Sequence, residues 1–280
     1  MQTAKPLNVS AHGAEFPAIG FGTLDLAEKA APLVAQAIRD GYRHIDTARK
    51  YGSEEGVGEG IRASGIPRSE IWVTTKVTED NAREKDFMNS VETSLKAMRL
   101  DYIDLLLIHW PQPKVPLAET VGALVKAKRQ GLARHVGVSN FTLALLDEAV
   151  RLSPEPLVTN QLEFHAYLPQ QKLYEACRRY GMVLTAYSPT ARGELLKDPV
   201  VNEIARAKGR TPAQIALRYV IQHPGIAAVP RAFESAHAAE NINVFDFSLT
   251  EEEMARLRAL NARRLRVVNP PERAPVWDEP

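Results

Sequence analysis

A single cysteine, Cys177, occurs in 280 residues, so neither an internal disulfide nor a four-cysteine metal centre can form. An excess of one charge is also lacking. The 35 Lys and Arg side chains against 34 Asp and Glu leave a formal net charge of +1, and no bulk field recruits nucleic acid or an anionic lipid surface. Apolar runs such as "IDLLLIHW" at 103–110 fall far short of the roughly 20 residues that cross a bilayer, and no basic–apolar–small leader opens the chain. The expectation is a cytoplasmic protein without nucleic-acid or membrane partners. The dinucleotide fingerprint G-x-G-x-x-G is missing as well. Gly20 and Gly22 have the first spacing but Asp25 stands where the third glycine belongs, and "GVGEG" at 56–60 has the wrong spacing within a helical pattern. With no Walker motif either, a doubly wound nucleotide-binding sheet is disfavoured. Metal spacings are scarce too. His12 and His165 have no partner at ligand spacing, and only His44 and Asp46, as H-x-D on one strand face, keep a metal-dependent hydrolase as a weak rival.

What is present has a rhythm. Short, nearly continuous apolar runs recur at 18–23, 44–48, 71–77, 103–110, 135–140, 158–164, 183–189 and 226–231, the composition demanded of strands covered on both faces. Helical periodicity lies between them, as in "LVAQAIRDG" (33–41), "MNSVETSLKAMRL" (88–100) and "LAETVGALVKAKRQG" (117–131). "TPAQIALRYVIQ" (211–222) opens on a threonine cap with proline at the first helical position. Cys177 sits at helical spacing in "LYEACRRY". Eight strand–helix units without a linker or composition shift predict an α/β fold, a (β/α)8 TIM barrel, as one domain over 1–280. An N-terminal β-hairpin turning near Gly13 occupies 1–17, and a proline-rich loop tail at 263–280 should lie on the surface. His135 and His223 flank strands and are expected to be surface residues.

In such a barrel the chemistry gathers at the C-terminal ends of the strands. The second strand is expected to end at Asp46, the third at Lys76 and the fourth at His109, with Tyr51 just beyond Asp46. A tyrosine of ordinary pKa, about 10, holds its proton tightly. A nearby ammonium should lower that value, with Asp46 keeping Lys76 charged. A neutral His109 could aim an N–H at a substrate oxygen. Singly, each residue has a bland reading: a structural ion pair, a satisfied strand-end histidine, an ordinary tyrosine. Their convergence on one lip is what points to a site that polarises and protonates a carbonyl. A binding protein on the same scaffold, without significant turnover, is the rival from another class.

At these residues the sequence resembles the aldo-keto reductase family over essentially its whole length. The carrying motifs are "GYRHIDTARKYGSEEGVGEGI", "LLLIHWP", "GVSNF", "NQLEF", "AYSP" with "ARGEL", and "VPRAFESAHAAEN". The compact length and the "APVWD" ending are most similar to the bacterial 2,5-diketo-gluconate reductases of that family, the B-type. The resemblance implies Tyr51 as general acid, Lys76 and Asp46 as its tuning pair, and His109 as the group orienting the carbonyl. It further implies that Ser139, Asn140 and Gln161 bind the nicotinamide carboxamide and that Tyr187 stacks beneath the ring. Gly22 and Thr23 would admit the cofactor, residues from Ser188 through Pro189, Thr190 and Arg192 to Leu195 would wrap its pyrophosphate, and Glu240 and Asn241 would reach the adenine. The cofactor so implied is NADPH, with NADH also accepted. Where the family has Lys-Ser and a later arginine around the 2′-phosphate, this chain has Arg231, Ala232 and His237, with Glu234 between. A frequent tryptophan of the substrate pocket is replaced by Thr78, leaving Phe21, Trp110 and Trp277 as apolar walls. The implied activity is reduction of small aldehydes and ketones, including keto-sugar acids and dicarbonyls such as methylglyoxal. The absence of an uncovered amphipathic stripe and of metal-ligand spacings adds the expectation of a monomer that holds no metal.

Overall fold

Valine-, isoleucine- and leucine-rich runs that have no polar face can satisfy their backbone only inside a covered sheet, and all eight do so. In the computed structural model, which describes residues 7–278, they form the parallel strands β3 (Phe21–Gly22), β4 (His44–Asp46), β5 (Trp72–Val77), β6 (Ile103–Ile108), β7 (Ala133–Ser139), β8 (Leu157–Glu163), β9 (Val183–Tyr187) and β10 (Ile226–Ala228), each paired with its neighbour in chain order. Two parallel bridges, Ile19 with Ala228 and Gly22 with Arg231, join the curled sheet's first strand to its last. Gly20 donates its N–H to the Ala228 carbonyl at 2.8 Å and Gly22 to that of Pro230 at 2.9 Å. A Cβ on Gly22 would stand 2.8 Å from the Val229 carbonyl oxygen. Glycine there serves the meeting of the two strands, in addition to any room it leaves a cofactor.

Helices cover the outside: α1 (Ala30–Arg39), α2 (Glu54–Ser64), α3 (Glu84–Met98), α4 (Leu117–Arg129), α5 (Leu143–Leu152), α6 (Gln171–Arg179), α7 (Pro199–Lys208), α8 (Pro212–Ile221), α9 (Ser235–Ile242) and α10 (Glu251–Ala259). The connection from β9 to β10 thus carries two helices where the repeat led us to expect one. Thr211 caps α8 as its sequence indicates, in a reciprocal capping box with Gln214 and with Pro212 in the first turn. Cys177 is buried on α6.

Helices α2 and α3 approach at a point set by glycine. A Cβ on Gly58 would overlap the Met98 carbonyl, whereas one on Gly122 of α4 meets nothing within 4 Å. Gly58→Ala is therefore expected to lose about 1–3 kcal/mol through overpacking, and Gly122→Ala to gain about 0.5–1 kcal/mol from helix propensity. Urea unfolding of the two variants checks the opposite signs.

The N-terminal hairpin is present as β1 (Asn8–Ala11) and β2 (Ala14–Pro17), turning through His12 and Gly13; residues 1–6 of the expected segment lie outside the described residues. Its inward Phe16 stacks on Trp72 with ring centroids 4.9 Å apart, so the hairpin closes over the N-terminal ends of β4 and β5. His135 also belongs there. Expected at the surface, it is half-buried because its ring stacks on Trp72 at 5.3 Å. His223 is likewise half-buried, its Nδ1 lying 2.8 Å from the Tyr219 carbonyl oxygen. The tail after the short 3-10 turn Leu260–Arg263 has no regular structure, and its last residues, 279–280, are beyond the described range. No helix among the described residues is long and apolar enough to cross a membrane.

Candidate active site

Three neighbouring buried strands each deliver a polar side chain to this lip. β4 ends on Asp46, β5 carries Lys76 one residue before its end, and β6 stops at Ile108 with His109 next. Lys76 is buried and its Nζ donates to Asp46 Oδ1 at 2.6 Å and to the Thr47 carbonyl at 2.8 Å. Gln161 on β8 donates from Nε2 to the other carboxylate oxygen of Asp46 at 2.7 Å. Burial lowers the Lys76 pKa, opposed by the charge and hydrogen bond of Asp46 and by the charge of Glu54. His109 is buried and neutral. Burial first, then the positive charges of Lys76, Arg273 and Lys50, hold its pKa well below the ordinary histidine value. Its Nδ1 is a buried atom without a hydrogen-bond partner.

Tyr51 closes the cluster from the 3-10 turn Arg49–Tyr51. Its ring meets that of His109 edge-on at 5.7 Å, and the Lys76 ammonium lies 5.2 Å from its centroid. The four residues therefore converge. The expected lowering of the phenol pKa is not what the pocket does: the value is raised, first by loss of water around the ring, then by the charges of Asp46 and Asp25, with Arg273 and Arg231 pulling the other way. The ammonium that was to lower it points its hydrogen bonds at Asp46 and Thr47 instead. Tyr51 thus keeps its proton through the neutral range, the state an acid needs before it acts.

Next to this cluster the ends of β7, β8 and β9 form a second, interlocked set. Ser139 Oγ donates to the Gln161 carbonyl at 2.9 Å. Asn140, in left-handed backbone with φ of 63°, donates from Nδ2 to the His109 carbonyl at 2.9 Å and to Ser139 Oγ at 3.0 Å. Tyr187 donates its hydroxyl to Asn140 Oδ1 at 2.7 Å. Through Gln161 and Asn140 this platform is tied directly to Asp46 and His109. Thr23 is buried, its Oγ1 donating to the Asp46 carbonyl at 3.1 Å. Beyond Tyr187 the chain passes through Ser188, Pro189 and Thr190 into a kinked 3-10 segment, Ala191–Lys197. Ser188, Ala191, Arg192 and Gly193 all have positive φ there, and Leu195 anchors the turn in the core.

The outer residues are dispersed more widely. Arg231 Nη1 donates to the Leu24 carbonyl at 3.0 Å and pairs with Asp25, and its guanidinium lies over Phe233 at 4.2 Å. On α9, His237 is exposed and Asn241 buried, while Glu240 accepts a hydrogen bond from Thr211 Oγ1 at 2.5 Å. Among the expected walls, Thr78 and Trp110 line the ends of their strands, and Trp277 meets Trp110 edge-on at 6.1 Å. Phe21 is a correction. It has no exposed surface and packs edge-on against Tyr42 at 5.6 Å, because strand alternation turns it away from the pocket into the core.

Several residues here carried no signal in the sequence. Glu79 accepts from Lys50 Nζ at 3.0 Å and from Arg273 Nη1 at 3.2 Å. Glu163, fully buried, accepts the backbone N–H groups of Val267 and Val268 at 2.7 and 2.8 Å and lies 2.9 Å from His165 Nε2. The tail lies on the surface as expected and is pinned there across this lip. Only its arginines and tryptophan hinted at that, since it has no period to read. His44 sits below Asp46, pushed down to about 4 by burial, with Nε2 3.1 Å from Thr74 Oγ1. Among the described residues no group of three or more His, Cys, Asp or Glu side chains is placed to hold a metal ion. A cavity of about 580 Å³ opens at the opposite end of the sheet, beside Trp72 and His135, and no member of the cluster lines it.

The sequence profile of the Aldo/keto reductase family matches residues 18–262. The chain is 42% identical over 250 residues to the 9,11-endoperoxide prostaglandin H2 reductase of Trypanosoma cruzi, covering 88% of each chain. It is 38% identical over 275 residues to the glyoxal reductase of Bacillus subtilis, covering 97% of this chain and 99% of that one. A solved structure described as a "putative 2,5-diketo-D-gluconic acid reductase B" is 44% identical and superposes with a TM-score of 0.94, covering 98% of both chains.

Proposed function

The chain belongs to the aldo/keto reductase family, and from that premise we propose that it reduces small aldehydes and ketones with a nicotinamide dinucleotide, Tyr51 supplying the proton. The observation that carries this reading is the direct hydrogen bond from Gln161 to Asp46. It joins the Asp46–Lys76 pair, over which the Tyr51 ring lies, to the platform of Ser139, Asn140 and Tyr187, so the two halves of the site share one hydrogen-bonded network. We take the two bridges between β3 and β10 as closing the sheet into a single (β/α)8 barrel domain with this network at its mouth.

The residues fit a nicotinamide dinucleotide. Amide and hydroxyl groups of Ser139, Asn140 and Gln161 match a carboxamide, which needs both donors and acceptors. Tyr187 offers an aromatic face, and the kinked turn beyond it, with Ser188, Ala191, Arg192 and Gly193 at positive φ, brings Arg192 near the same end of the sheet as a cation for the pyrophosphate. Bound there, the nicotinamide supplies the hydride. Neutral His109 donates an N–H to the substrate oxygen and orients the carbonyl. Tyr51 then protonates that oxygen, and a strongly held phenolic proton still moves readily to an alkoxide, which is more basic. Lys76, held charged by Asp46, stabilises the phenolate left behind. Trp110, Thr78 and Trp277 leave room for small polar carbonyls, among them dicarbonyls and keto-sugar acids. The test is turnover of 4-nitrobenzaldehyde followed at the nicotinamide absorbance. A redox-sensing barrel would instead show quenching of tryptophan fluorescence by the cofactor without turnover.

Arg231 bears on cofactor choice. It is the cation nearest in register to the strand that meets Gly22, but Asp25 already occupies it, and His237 and Ala232 stand where further phosphate partners were expected. We expect NADPH to be preferred over NADH in kcat/KM by only about tenfold, ~1.4 kcal/mol. A ratio of about a thousandfold or more would mean that Arg231 alone leaves Asp25 for the phosphate.

A further inference from the structure

Tyr51 stands in a short turn that a buried carboxylate brackets. Glu54 is the first residue of α2 and is only 2% exposed. Its Oε2 accepts from Arg49 Nη1 at 3.2 Å, and Arg49 opens the 3-10 turn that ends on Tyr51. Its Oε1 accepts from Thr75 Oγ1 at 2.7 Å. Thr75 and Lys76 are successive residues of β5, so they point to opposite faces of the sheet. Glu54 therefore grips, from behind, both the strand that presents Lys76 at the lip and the turn that presents Tyr51. Next to it Ser53 Oγ lies 3.1 Å from Thr47 Oγ1, and the Thr47 carbonyl accepts from Lys76. Burying a carboxylate is costly, and a glutamine has the same reach, so hydrogen bonding alone does not account for a charge here. The N-terminal end of α2 favours that charge. Asp46 and Glu54 are the carboxylates that raise the Lys76 pKa against burial. His44 and His109, which also face the ammonium, are held neutral.

We infer that Glu54 is a positioning residue for the proton transfer: it fixes the Tyr51 turn against β5 and places a second negative charge behind Lys76. The inference rests on the reductase reading. Glu54 touches neither substrate nor cofactor, and no proton passes through it. Without the tie, Tyr51 is less well placed on the carbonyl oxygen, and turnover falls at every pH. Without the charge, Lys76 gives up its proton at lower pH, and the phenolate left by Tyr51 loses its counter-ion sooner. Burial lowers the pKa of Lys76 and raises that of Tyr51, so Lys76 is the first of the two to titrate as pH rises. The alkaline limb of the kcat profile thus reads the state of Lys76.

The test is the pH profile of kcat on 4-nitrobenzaldehyde, at saturating cofactor, in the wild type, Glu54→Gln and Arg49→Met. Glu54→Gln keeps the reach of the side chain and removes its charge. Its alkaline limb should move to lower pH by about half a unit or more, with KM for the aldehyde nearly unchanged. Arg49→Met, at a side chain 38% exposed, breaks the tie and leaves the charge. Its kcat should fall about threefold or more across the whole profile, without the limb moving to lower pH. The same alkaline limb in the wild type and a folded Glu54→Gln would make Glu54 merely structural and overturn the inference. Unchanged kcat in Arg49→Met would overturn it as well, and decides alone should Glu54→Gln not fold. Absence of turnover in the wild type would instead remove the reductase reading, and the inference with it.

Discussion

Tyr51→Phe is expected to lower kcat on any small aldehyde by about 10²–10⁴-fold, the usual worth of a positioned general acid, with cofactor affinity nearly unchanged. The reason is geometric. The ring contacts His109 and Lys76, not the platform of Ser139, Asn140 and Tyr187, so removing the hydroxyl takes away a proton and little else. The pocket raises the phenol pKa through loss of water and the charges of Asp46 and Asp25, so phenylalanine also mimics the uncharged state in which Tyr51 rests. A variant with more than about a tenth of wild-type kcat would remove Tyr51 as the acid, since such a loss is below the general-acid range. Rapid-mixing kinetics with saturating cofactor separates chemistry from product release.

Lys76→Met carries the second large effect, and it splits stability from activity. The substitution leaves Asp46 buried, with Gln161 as its one remaining side-chain donor. Breaking a buried pair by removing one partner costs about 3–5 kcal/mol. Adding Asp46→Asn to Lys76→Met removes the stranded charge, and the double variant should regain most of that stability, because buried ion pairs are commonly replaceable by uncharged groups. Turnover should not return, since neither residue is then present to stabilise the phenolate. Urea unfolding alongside aldehyde turnover reads both quantities. A double variant as unstable as the single one would show that the pair is not what Lys76 contributes.

Much of the fold was legible in the sequence, because apolar runs of strand length separated by capped helices permit few arrangements. The four catalytic candidates were legible for a related reason: Asp46, Lys76 and His109 stand at or next to strand ends, Tyr51 lies in the turn just after one, and strand ends share one lip. The interlocking of that lip was not. Gln161 and Asp46 are 115 positions apart, and no spacing rule joins them. The direction of the Tyr51 pKa shift was misjudged because sequence shows the ammonium but not the water lost around the ring. Phe21 was misassigned as a wall since a two-residue strand offers too little alternation to tell its faces apart. The tail was legible only in part, through Trp277 as a pocket wall. Its hold on Glu163 runs through backbone N–H groups of Val267 and Val268, which leave no trace in residue identity.

The most direct measurement of the central claim follows an isotope. Wild-type protein is mixed with 4-nitrobenzaldehyde and nicotinamide cofactor carrying deuterium at the transferable position, and the alcohol is analysed by mass spectrometry. One deuterium on the former carbonyl carbon, with the hydroxyl proton drawn from solvent, is the predicted result. Bound cofactor with no labelled alcohol would contradict the account.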